Sequence, residues 1–256
     1  MLQRALRNIR DGLLGLAYPE ECRVCGGVVE SWDDGVACAR CWDDPALTKI
    51  LIGCVCSKCG VPVAPRTNSA QYASPSEAGR LCGMCSSAPF TAARACGVYS
   101  GALEASILFL KVTPHICPRL RAIINRTFSE HHVALRSDVV VPIPLHRLRQ
   151  KQRGFNQAAI VAALISRGFD LRFDDRSLTR IKATERHRAG MDASDRAHSV
   201  ERAFEVARSS LIDGASVLLV DDVYTTGSTI LAAARSLIEA GAQQVNVLTI
   251  ARVGER

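Results

Sequence analysis

Residues 217–229 read VLLVDDVYTTGST. The four leading apolar residues indicate a buried parallel strand that ends in two consecutive carboxylates, Asp221 and Asp222. A turn with hydroxyls and a glycine comes next, and the Ala- and Leu-rich segment behind it predicts a helix. The stretch therefore predicts a strand, a polar turn and a helix N-terminus in direct succession.

The turn after this strand offers groups that bind phosphate. Free N–H groups and the helix dipole attract an anion at a helix N-terminus. Gly227 lets the backbone approach the anion closely, and the neighbouring hydroxyls can donate further hydrogen bonds. The turn residues that we expect to contact phosphate are Thr225, Thr226, Gly227, Ser228 and Thr229.

The two carboxylates would repel a phosphate, but they suit sugar hydroxyls or a metal-bound sugar. A ligand with hydroxyls beside a phosphate is a sugar phosphate. The alternative is a buried strand with an ordinary capped turn, although an acidic pair at a strand end has no packing role. The stretch resembles the phosphoribosyl pyrophosphate (PRPP) signature of type I phosphoribosyltransferases, in which an apolar strand, two acids and T-T-G-S-T follow one another.

Strand and helix patterns alternate over residues 91–256, which we interpret as one domain. Such alternation is typical of an α/β fold with a doubly wound parallel sheet, and the resemblance implies that the sheet is of the type I phosphoribosyltransferase kind. Asn156 and Gly241 are expected to cap two of the helices. The predicted strands are 94–99, 138–141, 217–221 and 245–251, and the predicted helices are 103–111, 118–135, 156–167 and 229–240.

A basic segment follows the predicted strand at 138–141. Prolines precede it and Gly154 lies inside it, so we expect a loop at the carboxyl end of the strand, where open α/β sheets bind ligands. Arginine donates several hydrogen bonds at once, as pyrophosphate requires, whereas a solvated surface loop is the alternative. The residues of this segment that we expect to contact ligand are His146, Arg147, Arg149 and Arg153.

Four C-x-x-C pairs occupy the N-terminal part of the chain. Two pairs make one tetrahedral thiolate site, so four pairs predict a double zinc ribbon at residues 18–90. Disulfides, redox chemistry and an interleaved pairing are alternatives, and Cys54 could replace Cys56 as a ligand. In sequence order the first ribbon uses Cys22, Cys25, Cys38 and Cys41, and the second uses Cys56, Cys59, Cys82 and Cys85.

These features together resemble the ComF family, the double zinc ribbon, phosphoribosyltransferase-like proteins associated with DNA uptake in competence. The most specific part is R-G-F-N-Q at residues 153–157, and V-P-I-P-L-H at 141–146 accompanies it. The resemblance implies PRPP with Mg²⁺ as the ligand. It places Asp221 and Asp222 at the ribose hydroxyls, the turn around the 5′-phosphate, the basic segment at pyrophosphate and Lys111 near the site.

The leading hypothesis for function is transfer of a phosphoribosyl group to a nitrogenous base. The rivals are a PRPP-sensing competence factor that binds single-stranded DNA, with DNA-uptake helicase or recombination proteins as partners, and a scaffold that has lost its activity. His187 and Ser199 stand where the family usually has Gln and Asn, which alters the acceptor or weakens the activity if those positions read it. His146 and His187 are the candidate general bases, and neither can be assigned that role from sequence.

Charge is unevenly distributed along the chain. Residues 1–90 carry nine Lys/Arg and nine Asp/Glu, so the remaining 23 against 16 supply the whole formal net charge of +7. This excess fits a pyrophosphate-bearing substrate or nucleic acid, although an aromatic content of 5% provides few platforms for stacking bases.

Residues 1–17 predict a short amphipathic helix. Arginines interrupt its apolar spacing, which argues against an export signal and leaves a mitochondrial-type presequence as the alternative. The sequence contains no apolar run long enough to span a membrane. We therefore expect a cytoplasmic protein.

Overall fold

The computed structural model describes residues 20–45, 56–61, 81–83, 85–182 and 203–253. The predicted helix at 1–17, together with Cys54, His187 and Ser199, lies outside them. The helices are α1 (Ala39–Trp42), α2 (Gly101–Leu110), α3 (Pro118–Glu130), α4 (Arg147–Arg153), α5 (Gln157–Phe169) and α6 (Ser228–Glu239). The strands are β1 (Ala92–Ala95), β2 (Val139–Pro142), β3 (Arg172–Phe173), β4 (Leu178–Arg180), β5 (Phe204–Val206), β6 (Ser216–Tyr224) and β7 (Gln244–Arg252).

Five strands form one parallel sheet in the order β1-β7-β6-β2-β3. The central strand β6 is buried continuously from Ser216 to Val220, as expected for a strand covered on both faces. Strands β4 and β5 form a separate antiparallel pair. The predicted α/β fold with a doubly wound parallel sheet is confirmed.

Side chains that alternate along the strands divide the core into two layers. Leu218 and Val220 of β6 point into one layer, whereas Val217 and Leu219 point into the other. The face of the sheet that carries α2, α3, α5 and the first four cysteines is called the first face. The second face carries α6, the β4–β5 pair and the last four cysteines.

Two predictions about local structure are wrong. The acidic pair does not end the central strand but lies within it, because β7 continues to pair with β6 as far as Tyr224. The basic segment is not a loop, since residues 147–153 form the helix α4. Its Leu, Arg, Gln and Lys residues are good helix formers, and Gly154 ends it with a φ of 79°.

The predicted caps of two helices are confirmed. The side-chain oxygen of Asn156 accepts the N–H of Ala158 at 3.0 Å, and its amide donates to the carbonyl of Ile143 at 2.9 Å. Gly241 follows α6 with a φ of 96° and donates its N–H to Ile238. Among the described residues, no helix has both the length and the apolar character needed to cross a membrane.

Candidate functional site

Asp222 is held by donors from several parts of the chain. Its side chain is buried, and its Oδ2 lies 3.3 Å from the Lys111 ammonium just after α2 and accepts the Gln157 amide of α5 at 3.2 Å. Its Oδ1 accepts the N–H of Val223 at 2.9 Å. Asp222 therefore joins the central strand to α2 and α5 on the first face.

Asp221 has a different environment. Strand alternation points it toward the second face, where its Oδ1 accepts the N–H of Asp222 at 2.8 Å and its side chain is half-buried. Burial, and next the charge of Asp222, raise the pKa of Asp221 well above its usual value, while Arg180 opposes the shift. A cation or a hydroxyl donor arriving at Asp221 would relieve this unfavourable charge.

The turn after β6 leads directly into α6. Thr225 and Thr226 are exposed, and Gly227 is buried with a φ of 77°. Helix α6 begins at Ser228, and its N-cap, Gly227, has no side chain that could cap it; the N–H of Ser228 donates to the Thr226 hydroxyl at 3.5 Å. Its first N–H groups can therefore receive an anion.

The basic helix α4 approaches Asp222 through its last turn. Arg153 is half-buried and donates to the side-chain oxygen of Gln157, the same residue that donates to Asp222. Burial lowers the pKa of Arg153, and the charge of Asp222 opposes that shift. Arg149 lies close enough to Arg153 to act on its pKa.

The other predicted residues of the basic segment have different positions. His146 is the N-cap of α4, where its Nδ1 accepts the N–H of Leu148 at 3.4 Å. Arg147 lines a groove between α4, α5 and β4, together with Arg167 and Arg180. Sequence reasoning therefore selected the basic segment but could not tell which of its side chains face the acids.

Gln157 and Arg180 were not predicted as site residues. Gln157 is buried and bridges Arg153 to Asp222, and the only sequence signal for it was its place in the R-G-F-N-Q motif. Arg180 reaches the neighbourhood of Asp221 from β4, and no local pattern singles it out from the other arginines of the chain.

The first four cysteines form one cluster, in which the sulfur atoms all lie within 4.8 Å of one another. Cys22 and Cys41 are 3.8 Å apart, and Cys25 and Cys38 are 3.7 Å apart. Thiolates bound to zinc at about 2.3 Å span tetrahedron edges of about 3.8 Å, whereas a disulfide is about 2.0 Å long. The spacing fits a four-coordinate metal ion and not a disulfide.

The last four cysteines form a second cluster of the same dimensions, with Cys59 and Cys82 3.7 Å apart. The cysteines thus group in sequence order and are not interleaved. This cluster also covers the edge of the sheet, since the N–H of Ala93 in β1 donates to the carbonyl of Lys58 at 2.7 Å.

In each cluster the surroundings of one cysteine favour its thiolate form by lowering its pKa. Burial alone would raise the pKa of Cys22, but backbone N–H groups of Cys38 and Cys25 contribute to lowering it to about 6. Cys56 has the same balance, and its pKa is also lowered to about 6. Thiolates are the form of cysteine that binds metal ions.

Residues 117–256, more than half of the chain, match the family model of the phosphoribosyl transferase domain. The chain belongs to this family. Competence protein F of Haemophilus influenzae is 33% identical over 135 residues, which cover 52% of this chain and 58% of the relative. Competence protein ComFC of Bacillus subtilis is 36% identical over 118 residues, 44% of either chain.

DNA utilization protein YhgH of Escherichia coli K12 is 33% identical over 115 residues, which cover 45% of this chain and 49% of the relative. These relatives and the matching domain confirm the ComF family assignment. The chain spans about half the length of the curated relatives it matches.

Solved structures with a likeness to this chain include an allosteric regulatory enzyme of purine biosynthesis. It is 19% identical with a TM-score of 0.34 over 53% of this chain and 27% of its own. The glutamine PRPP amidotransferase of B. subtilis is 19% identical with a TM-score of 0.35, over 53% and 28% of the two chains. The likeness is distant and partial.

Proposed function

We propose that this ComF-family chain binds PRPP with Mg²⁺ at the carboxyl edge of the sheet and transfers the phosphoribosyl group to a nitrogenous base. The observation that carries the proposal is the start of α6 after Gly227, only five residues beyond Asp222, the carboxylate to which Gln157 connects Arg153 at the basic end of α4. An anion site, paired acids and forked cations within one region match the phosphate, diol and pyrophosphate of this substrate.

Each part of the substrate has its own set of residues in this proposal. Residues 225–229 bind the 5′-phosphate, and Asp221 and Asp222 accept hydrogen bonds from the ribose hydroxyls. The cationic side chains bind pyrophosphate and stabilise the charge that develops as it departs. These are Lys111, Arg149 and Arg153, with His146 and Arg147 as the outer members of the predicted set.

The reaction replaces one bond at C1′ by another. The C1′–O bond breaks with its electron pair leaving on pyrophosphate, a C1′–N bond forms, and the proton of the acceptor passes to pyrophosphate or water. Bound Mg²⁺ would neutralise pyrophosphate oxygens, held mostly by the substrate and by water. The protein side chains orient the ribose and hold the leaving group in line with the acceptor.

Calorimetry tests the binding proposal. PRPP with Mg²⁺ is titrated into the wild type, into the double variant Asp221→Ala/Asp222→Ala, and into Glu239→Ala, which removes an exposed acid at the far end of α6. We expect the double variant to lose at least tenfold in affinity and the control to lose none. Unchanged binding by the double variant would contradict the assignment of the binding site to these residues.

Turnover requires a separate measurement. Pyrophosphate release is followed with a panel of nucleobases as acceptors. Release that depends on both PRPP and a base establishes an enzyme, whereas tight binding without release leaves a PRPP sensor.

We also propose that both cysteine clusters hold structural zinc. The tetrahedral sulfur spacing supports this, because the sites are closed and leave no position for a substrate. Metal analysis should return two zinc ions per chain, and a value well below two would contradict the proposal.

The names of the relatives favour a role in DNA uptake, and the excess of cations over acids after residue 90 favours contact with single-stranded DNA. In this second candidate function PRPP is a regulatory ligand, and the partners are DNA-uptake helicase or recombination proteins. Binding of single strands that weakens steeply between about 50 and 200 mM salt would support it. The cytoplasmic location stays a prediction.

A further inference from the structure

Arg252, at the end of β7, is a buried cation with unusual neighbours. Its Nη1 donates to the carbonyl of Cys59 at 3.0 Å, and its guanidinium lies 4.5 Å from the centre of the Tyr224 ring. Only 8% of the residue is exposed, and within the described part of the chain no carboxylate forms an ion pair with it. A buried charge without a counter-charge is costly, so the source of compensation must be found nearby.

The second cysteine cluster supplies that compensation once it holds a metal ion. Four thiolates around a divalent cation retain two negative charges, and Cys59 of this cluster is the residue that Arg252 contacts. Arg94 borders the same cluster through hydrogen bonds to the carbonyls of Lys58 and Ser57. The metal-loaded cluster and its two arginines thus form a nearly neutral unit.

The other side of Arg252 leads to residues 225–229, the turn that we propose to bind phosphate and call the phosphate turn. Tyr224 is 3% exposed and its ring lies directly against Gly227. A methyl group placed on Gly227 would stand 2.6 Å from the tyrosine hydroxyl oxygen and 2.9 Å from the nearest ring carbon. The backbone of the turn therefore cannot shift toward this ring, and the ring cannot shift without releasing the turn.

We propose that Arg252 is a positioning residue that ties the second cysteine cluster to the phosphate turn through Tyr224. In this arrangement the carbonyl of Cys59 holds Arg252, the guanidinium holds the aromatic ring, and the ring holds the backbone at Gly227. A metal ion bound by the four cysteines would fix the position of Cys59. The conformational link stands without a ligand; its consequence for substrate rests on the proposed function.

The first cluster provides a matched control. There Arg119 lies 5.9 Å from the Trp42 ring and pairs with Asp34 at 2.9 Å, so an arginine again faces an aromatic ring beside four cysteines. Arg119 belongs to α3 on the first face, and its partners Asp34, Trp42 and Asp43 all belong to the first cluster's segment. Its removal should therefore leave the phosphate turn unchanged.

Hydrogen exchange of the full chain, loaded with zinc, tests the link without any ligand. We expect Arg252→Met to speed exchange of amides 225–230 about tenfold and to leave 146–157 unchanged. Arg119→Met should speed exchange in 32–43 and leave 225–230 unchanged. Unchanged exchange at 225–230 in Arg252→Met, or an equal increase in both variants, would overturn the proposal.

Two further variants guard against a folding failure of Arg252→Met. Tyr224→Leu keeps the cluster and its arginines but removes the ring, and should speed exchange at 225–230 while two zinc ions remain bound. Arg252→Lys retains the charge and should give an intermediate rate. If neither variant changes exchange in the turn, the link does not exist.

Ligand affinity separates the link from the proposed function. Ribose 5-phosphate probes the phosphate turn, and inorganic pyrophosphate with Mg²⁺ probes the cationic side chains Lys111, Arg149 and Arg153. Arg252→Met should raise the Kd for ribose 5-phosphate at least tenfold and leave that for pyrophosphate within twofold. If the wild type binds neither compound, the proposed function fails, whereas the exchange result still decides the link.

Discussion

The two cysteine clusters have the same ligands, the same spacing and an arginine over an aromatic ring, yet they contact different parts of the fold. The first lies on the first face, where Arg119 pairs with Asp34 and joins the cluster to α3. The second lies on the second face, where Arg252 and Tyr224 connect it to the turn before α6. The same sequence motif therefore contacts a helix in one place and, in the other, the turn that we propose to bind phosphate.

Removal of one ligand from each cluster should give the largest contrast. Cys41→Ser and Cys85→Ser should each lose one zinc ion and several kcal/mol of unfolding free energy, because metal binding is coupled to folding. Only Cys85→Ser should also weaken ribose 5-phosphate binding, by at least tenfold. Metal analysis and calorimetry measure both effects. Equal loss of affinity in the two variants would contradict the claim that only the second cluster acts on the phosphate turn.

Two glycines with the same backbone conformation test whether the Tyr224 ring constrains the phosphate turn. Gly227 has a φ of 77° and Gly154 a φ of 79°, but a side chain meets Tyr224 at the first and open space at the second. Gly154→Ala should therefore cost about 1–2 kcal/mol of unfolding free energy from backbone strain alone. Gly227→Ala adds an overpacking cost of about 1–3 kcal/mol. Urea denaturation measures both, and equal losses would show that the ring does not constrain the turn.

Arg119→Met examines the first face alone. It leaves the buried carboxylate of Asp34 without its ion-pair partner, and hydrogen bonds to charged groups contribute about 1.5–3 kcal/mol. Because Arg119 is partly exposed, solvent screening should reduce the loss to about 1–2 kcal/mol. The unfolding free energy should fall by this amount at unchanged affinity for ribose 5-phosphate. A weakened affinity would mean that the first cluster also acts on the site.

Local patterns were enough to predict much of this structure. The apolar run before the acids predicted the central strand, the polar turn predicted the start of α6, and the C-x-x-C spacing predicted which cysteines meet. The strand and the helix start are each decided within a few neighbouring residues, and the cysteine pairs that meet are successive pairs along the chain. The length of β6 was not predictable in this way, because it depends on how far β7 pairs beside it.

The residues that sequence reasoning missed act across long separations. Gln157 contacts Asp222 across 65 positions, and Arg252 contacts Cys59 across 193. Neither contact leaves a periodic pattern in the sequence, since each depends on the sheet order and on which face a helix covers. The sequence could therefore predict the carboxylates but not that one of them is already held by three donors.

The acidic pair extends the comparison between the two faces to single residues. Asp222 on the first face has Lys111 and Gln157 as donors, whereas burial and the charge of Asp222 raise the pKa of Asp221. A folded-state pKa above the unfolded value means that stability is lost as pH rises from about 4 toward the folded pKa. Ionised Asp221 should therefore destabilise the ligand-free protein at neutral pH.

Asp221→Asn should remove this cost, since the amide oxygen can still accept the N–H of Asp222. We expect the melting temperature of the ligand-free variant to rise at pH 7.5 by about 2–4 °C per kcal/mol recovered. The difference should shrink near pH 4, where the wild-type carboxyl is protonated. Asp222→Asn should instead lower the melting temperature at pH 7.5, because Lys111 loses its counter-charge. Thermal melts of both variants from pH 4 to 8 measure these effects, and a rise for Asp222→Asn would mean that the two acids have the opposite roles.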